Sequence, residues 1–140
     1  MAFLTRETLL QKEKLEIVKV ALGGDDFVYV RQMTGHERDM WEQSMLKREK
    51  DDKGRVSFEQ ILDNFRAKLA VLTVCDDKGE LLFKPEDANT LSRNISAKRL
   101  EKIVNVAQEL NSISETDKEN IIKNSAAVQG DGSSSNSVEN

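Results

Sequence analysis

The side chains able to do chemistry are few and scattered. His36 is the only histidine and Cys75 the only cysteine. His36 falls in the first turn of an expected helix, where a solvated surface residue is the simpler reading. Cys75 closes an apolar helical face, as a buried structural thiol does. A metal centre needs several converging His, Cys or carboxylate ligands, and one of each does not supply them. The pairs Asp25-Asp26, Asp51-Asp52 and Asp76-Asp77 invite a divalent-ion reading. Adjacent residues do not easily turn both carboxylates onto one ion, and the alternating ligand spacing of an EF-hand loop is absent. Turn formation explains the pairs better. The chain has no GxxxxGK[ST], GxGxxG, GxSxG or HExxH, and Gly23-Gly24 alone is no phosphate loop. No catalytic, cofactor-binding or metal-binding residue is assigned, and a non-enzymatic protein without cofactors is expected.

Contact chemistry is better supplied. Large aromatic and methionine side chains adapt well to partners, which selects Phe27, Tyr29 and Met45 as candidate partner-binding residues. Trp41 and Met40 share the character, but Trp41 fits a hairpin–helix core more simply.

The elements that position these residues follow from the pattern. Leu15–Leu22 and Phe27–Met33 are rich in Val, Ile, Phe and Tyr, as a pleated surface favours. Gly23-Gly24-Asp25-Asp26 between them supplies positive φ and turn hydrogen bonds, which predicts a β-hairpin. Both of its faces carry apolar groups, Phe27 and Tyr29 on one and Val28 and Val30 on the other. One face packs on helices; the other is open to a client or to another copy of the chain. Before the hairpin, Thr5–Gln11 predicts an arm of one or two helical turns that packs its leucines on the body.

After it, Thr34 and Glu37 form a capping box opening a helix to about Lys50, ended by Asp51-Asp52-Lys53-Gly54. Ser57 and Gln60 form a second capping box, with Val56 stapled against Ile61. The following helix, about Phe58 to Cys75, aligns Phe58, Ile61, Leu62, Phe65, Leu69 and Leu72 on one face and is the expected core helix. Asp76-Asp77-Lys78-Gly79 repeats the turn chemistry of residues 51–54. Leu81–Phe83 is extended, Pro85 starts a short helix to about Leu91, and Ser96 caps a helix burying Leu100, Ile103, Val104, Ala107 and Leu110. Ser114 and Asp117 open a last helix with Ile121 and Ile122. From Ser125 the Ser/Gly/Asn-rich chain has too little apolar content to offset ordering entropy. The expected fold class is α+β: an N-terminal β-hairpin packed on a predominantly helical domain of four to five helices over residues 1–124, with a disordered tail over 125–140.

The bulk numbers fit one domain. In 140 residues, 38% hydrophobic and 33% charged allow one modest core under a well-solvated surface. Aromatics at 5% make that core aliphatic. The net charge is −4; Asp131 and Glu139 carry two of the 25 acidic groups, so residues 1–124 hold 21 basic and 23 acidic. That balance argues against nucleic-acid binding, which favours a basic patch. No run approaches the roughly 18 apolar residues of a membrane span, residues 1–12 lack a signal-peptide core, and a single cysteine does not imply an oxidising compartment. A cytoplasmic protein without membrane contact is expected.

Several segments together carry a resemblance. FLTRETLLQKEKLEIVKVAL gives an arm and a strand, DDFVYVRQMTGHERDMWE runs a strand into R-x-M-T-G-x-E-R-D, and NFRAKLAVLTVCDDKGELLF and PEDANTLSRNISAKRLEKIVNVAQELNSIS follow in order. Over residues 3–124 the chain resembles the tail assembly chaperones of long-tailed, siphovirus-type bacteriophages. The motifs are structural patterns, and their order carries the likeness. The resemblance implies a non-enzymatic protein of the host cytoplasm that binds the long, aggregation-prone tape measure protein and recruits tail-tube subunits. It also implies weak self-association along the client and absence from the mature virion.

Many family members have a longer form made by ribosomal slippage, and the resemblance implies that this chain is the short form. Late in the chain, only Ile122-Lys123-Asn124 can encode the heptamer A-AAA-AAC, when Ile122 uses ATA. Asn64-Phe65 and the Lys-Gly pairs at 53–54 and 78–79 are excluded, because the preceding Asp codon cannot end in A. Slippage is expected at Lys123-Asn124, and codons that do not spell the heptamer overturn the placement. Two rival readings stay open: a small cytoplasmic adaptor or regulatory module, and a structural tail subunit. A downstream tape measure gene favours the chaperone over the adaptor, whereas stoichiometric presence in virions favours the structural subunit.

Overall fold

A computed structural model describes residues 2–60 and 63–113, with the side chains of 58–60 left aside. The helix expected after Ser114, the slippage site at Lys123-Asn124 and the tail from Ser125 lie outside the described residues, as do Ile61 and Leu62. The fold is α+β, with an N-terminal hairpin, five α-helices and two small sheets.

The hairpin forms as the turn chemistry dictates. β1 (Ile17–Gly23) pairs antiparallel with β2 (Asp26–Arg31). Gly23 and Gly24 take φ of +116° and +60°, conformations that L side chains adopt at a cost. β5 (Val74–Cys75) adds to the far side of β2, giving the order β1-β2-β5. The pleat sorts the side chains. Val18, Val20, Val28, Val30 and Val74 share the inward face, whereas Lys19, Ala21, Phe27 and Tyr29 share the outward one. α5 (Ala97–Leu110) lies across the inward face with Leu100, Ile103, Val104 and Ala107 buried, capped as expected by Ser96 Oγ, which accepts from Arg99 N at 3.2 Å. α3 (Phe65–Val71) fills the centre between α5 and α4 (Ala88–Asn94), with Ala67, Leu69, Ala70 and Val71 buried. Pro85–Asp87 forms a 3-10 turn that leads into α4.

Three expectations fail, each for a physical reason. The helix opened by Thr34 does not reach Lys50: α2 spans Gly35–Gln43, and Leu46–Lys50 is strand β3, paired with β4 (Val56–Gln60). The run Leu46–Lys50 offers no apolar stripe to bury, and every residue of it is exposed. Asp51-Asp52-Lys53-Gly54 therefore closes a second hairpin. For the same reason Ser57 and Gln60 are not a capping box. Ser57 sits in β4 opposite Glu49, and the core helix starts only at Phe65, after Asn64 in the left-handed region at φ 58°. It also ends early. The Thr73 hydroxyl donates back to Leu69 O at 2.9 Å, and Val74 and Cys75 join the sheet, so Cys75 is buried in a strand and not on a helix. Finally, the arm forms a helix, α1 (Arg6–Leu10), but no residue of it is buried. Phe3, Leu4, Leu9 and Leu10 are among the most exposed large hydrophobics described.

Candidate interaction surface

The outward face of the hairpin assembles from alternate residues of β1 and β2. Phe27 and Tyr29 stand two apart on β2 and meet edge to face, with ring centroids 5.6 Å apart, a favoured aromatic geometry. Lys19, opposite Tyr29, places its ammonium 4.2 Å from the Phe27 ring centre. This cation–π contact holds the ring upright at the surface. Phe27 remains 44% exposed, and Tyr29 is half-buried. At the turn, Asp26 accepts from Arg99 Nη2 at 2.7 Å, which ties the hairpin tip to the start of α5. The result is an outward face that presents an aromatic pair beside one lysine.

Met45, the third candidate, is fully buried, and so is Trp41. Met45 closes the end of α2 over the core and is no contact residue. Trp41 packs against Phe65 with centroids 5.6 Å apart. His36 is exposed on the first turn of α2. Burial pushes the Cys75 thiol up from its ordinary value, which makes it a poor nucleophile. Asp51 and Asp76 are committed to turns in the same way. Each carboxylate accepts from the backbone N–H two residues on and four residues on, between 2.8 and 2.9 Å. These bonds hold both carboxyls below their usual range. Among the described residues, no three His, Cys, Asp or Glu side chains converge on a possible metal position.

The R-x-M-T-G-x-E-R stretch is a clasp at the strand–helix junction. Thr34 Oγ1 accepts from Glu37 N at 3.1 Å and Glu37 Oε1 accepts from Thr34 N at 2.9 Å, completing the capping box. The other carboxylate oxygen accepts from Arg31 Nη2 at 2.8 Å. Met33 N donates to Asn111 Oδ1 at 2.6 Å, and Arg38 Nη1 donates to Asn111 O at 3.0 Å. The motif thus binds β2, α2 and the end of α5 together, a role that its spacing alone does not announce.

Three further surface features escaped the sequence reading. The arm carries free apolar side chains. The β3–β4 hairpin exposes Leu46 and Val56. An open groove of about 1280 Å³ runs between the arm's root at Gln11–Lys14, the Arg31–Arg38 junction, the turn at Asp77–Glu80 and the end of α5. The exposed leucines were visible as residues; what sequence pattern did not reveal was that, among the described residues, none of them is buried against the body.

No protein-family model matches the chain, and neither curated proteins nor solved structures give a match. No helix among the described residues is long and apolar enough to cross a membrane.

Proposed function

We propose that this chain is a non-enzymatic assembly chaperone of the long-tailed bacteriophage type. It binds the tape measure protein and promotes tail-tube assembly in the host cytoplasm, without entering the mature virion. The ordered motifs over residues 3–124 suggest the class. The observation that carries the reading is the Phe27–Tyr29 pair, held at the surface by Lys19 on a sheet whose opposite face is committed to the core. The intramolecular contacts fix the ring's orientation while leaving much of its face open, an arrangement that suits a protein that covers apolar segments. Covering the exposed part of Phe27 contributes about 1 kcal/mol per copy. Single contacts of that size are weak, so coverage of a long client depends on many copies engaging together.

Co-expression with the tape measure protein tests this. The chaperone reading expects the client to move from the pelleted to the soluble fraction and to co-purify with the chain. An unchanged soluble fraction removes the reading.

A further inference from the structure

We infer that the N-terminal arm, Phe3–Leu10, docks in the groove of a second copy of this chain, and that two copies exchange arms reciprocally. The arm has the composition of a docking peptide. Phe3, Leu4, Leu9 and Leu10 are 51–100% exposed and no α1 residue is buried, although Thr5 caps the helix by accepting from Thr8 N at 3.2 Å. An ordered helix with every leucine in water is half of an interface.

The groove is the complementary half. At about 1280 Å³ it exceeds the roughly 300–1,000 Å³ typical of small-ligand clefts and suits a peptide segment. Half-buried Leu15, Leu81 and Leu110 supply apolar lining, while Asp77, Lys78 and Glu80 form a rim of both signs. The arm brings both signs in turn: Arg6 answers Asp77 or Glu80, and Glu7 answers Lys78. Topology selects the second copy over the arm's own body. The arm's root, Gln11–Lys14, is itself one wall of the groove, and Gln11 leaves α1 in extended conformation at ψ 154°. Docking in its own groove requires the chain to double back across that wall. Reciprocal exchange between two copies is isologous, so the assembly closes as a dimer.

The exchange gives the self-association of the proposed function a mechanism, and its test is separate from client binding. The direct test mixes two full-length chains, one L10C/C75A and the other L81C/C75A, under oxidising conditions. Exchange predicts a covalent heterodimer as the main product. A disulfide that forms only within a chain carrying both L10C and L81C overturns the inference, as does the absence of any cross-link. A charge-swap pair guards against altered folding. E7K and K78E each weaken the dimer about tenfold by light scattering, and chains carrying both recover. Equal dimer strength in all three overturns the inference. A dimer lost in E7K with client solubilisation intact upholds the exchange. Intact exchange with an insoluble client also upholds it and counts against the chaperone reading alone.

Discussion

Glu37 carries two loads, one on each carboxylate oxygen: the cap to Thr34 and the ion pair to Arg31. The Arg31 and Glu37 side chains are only 8% and 16% exposed, and Arg31 Nε finds no partner among the described residues. Removing the carboxylate strands a buried guanidinium. Breaking a buried pair from one side costs about 3–5 kcal/mol, and a lost cap costs about 1. Because Glu37 keeps some water contact, Glu37→Ala is expected near the lower bound, about 3 kcal/mol. Glu37→Gln keeps one acceptor oxygen and turns its amide NH2 toward the other donor, so it loses one of the two hydrogen bonds together with the charge, for about 2 kcal/mol. Against a typical stability of about 5–15 kcal/mol, the alanine variant is severely weakened. Trp41 is the only tryptophan and is fully buried, so urea unfolding is followed by its fluorescence, with the midpoint read at constant slope. A double-mutant cycle with Arg31→Met isolates the pair. The expected coupling is about 2 kcal/mol, the double variant losing less than the sum of the singles. A coupling below about 0.5 kcal/mol refutes the clasp.

Three further outcomes follow from named contacts. Gly79→Ala should destabilise by about 2 kcal/mol, because φ is +90° and the new Cβ meets Ile17 Cδ1 at 3.2 Å. Gly54→Ala, at φ +81° with only Lys50 Cε at 3.8 Å, should lose about half as much in the same urea assay. Asp51 and Asp76 have folded-state pKa values depressed below those of the unfolded chain. Their contribution is therefore present above the unfolded carboxylate pKa and lost as pH falls through the folded value; D51N and D76N should flatten the decline of melting temperature with acid. Cys75, buried and with its thiol pushed up, should resist alkylation in buffer near neutral pH and react at the rate set by unfolding. Immediate labelling of the native chain contradicts that burial.

Local chemistry was legible wherever one segment decides its own state. The Gly23-Gly24 hairpin turn, the Thr34–Glu37 box and the Ser96 cap with its apolar stripe need only neighbours in sequence, and each formed. The second hairpin was illegible because its turn, Asp51-Asp52-Lys53-Gly54, equally ends a helix or joins two strands. The choice depends on pairing between Leu46–Lys50 and Val56–Gln60, which helical periodicity does not register. The expected core helix began seven residues early, at Phe58 instead of Phe65, and ran four residues past its observed end at Val71, which carried Cys75 from a strand into a helix. Alternation along β2 placed Phe27 and Tyr29 on one face, where the structure has them. Met45 was misassigned because side-chain type alone does not distinguish a buried helix end from an exposed one. Arg31–Glu37 was hidden for a related reason: six residues separate the pair across a change of element, which neither the strand nor the helix period links.

The central claim is that the outward hairpin face is the client surface, and Phe27→Asp tests it most directly. The variant gives up the Lys19 contact and half of the aromatic pair, a loss of about 1 kcal/mol that leaves the chain folded. Co-expressed with the tape measure protein, it should shift little in its own urea midpoint yet leave the client in the pellet, whereas the unaltered chain keeps the client soluble. A folded Phe27→Asp chain that keeps the client as soluble as the unaltered one contradicts the account.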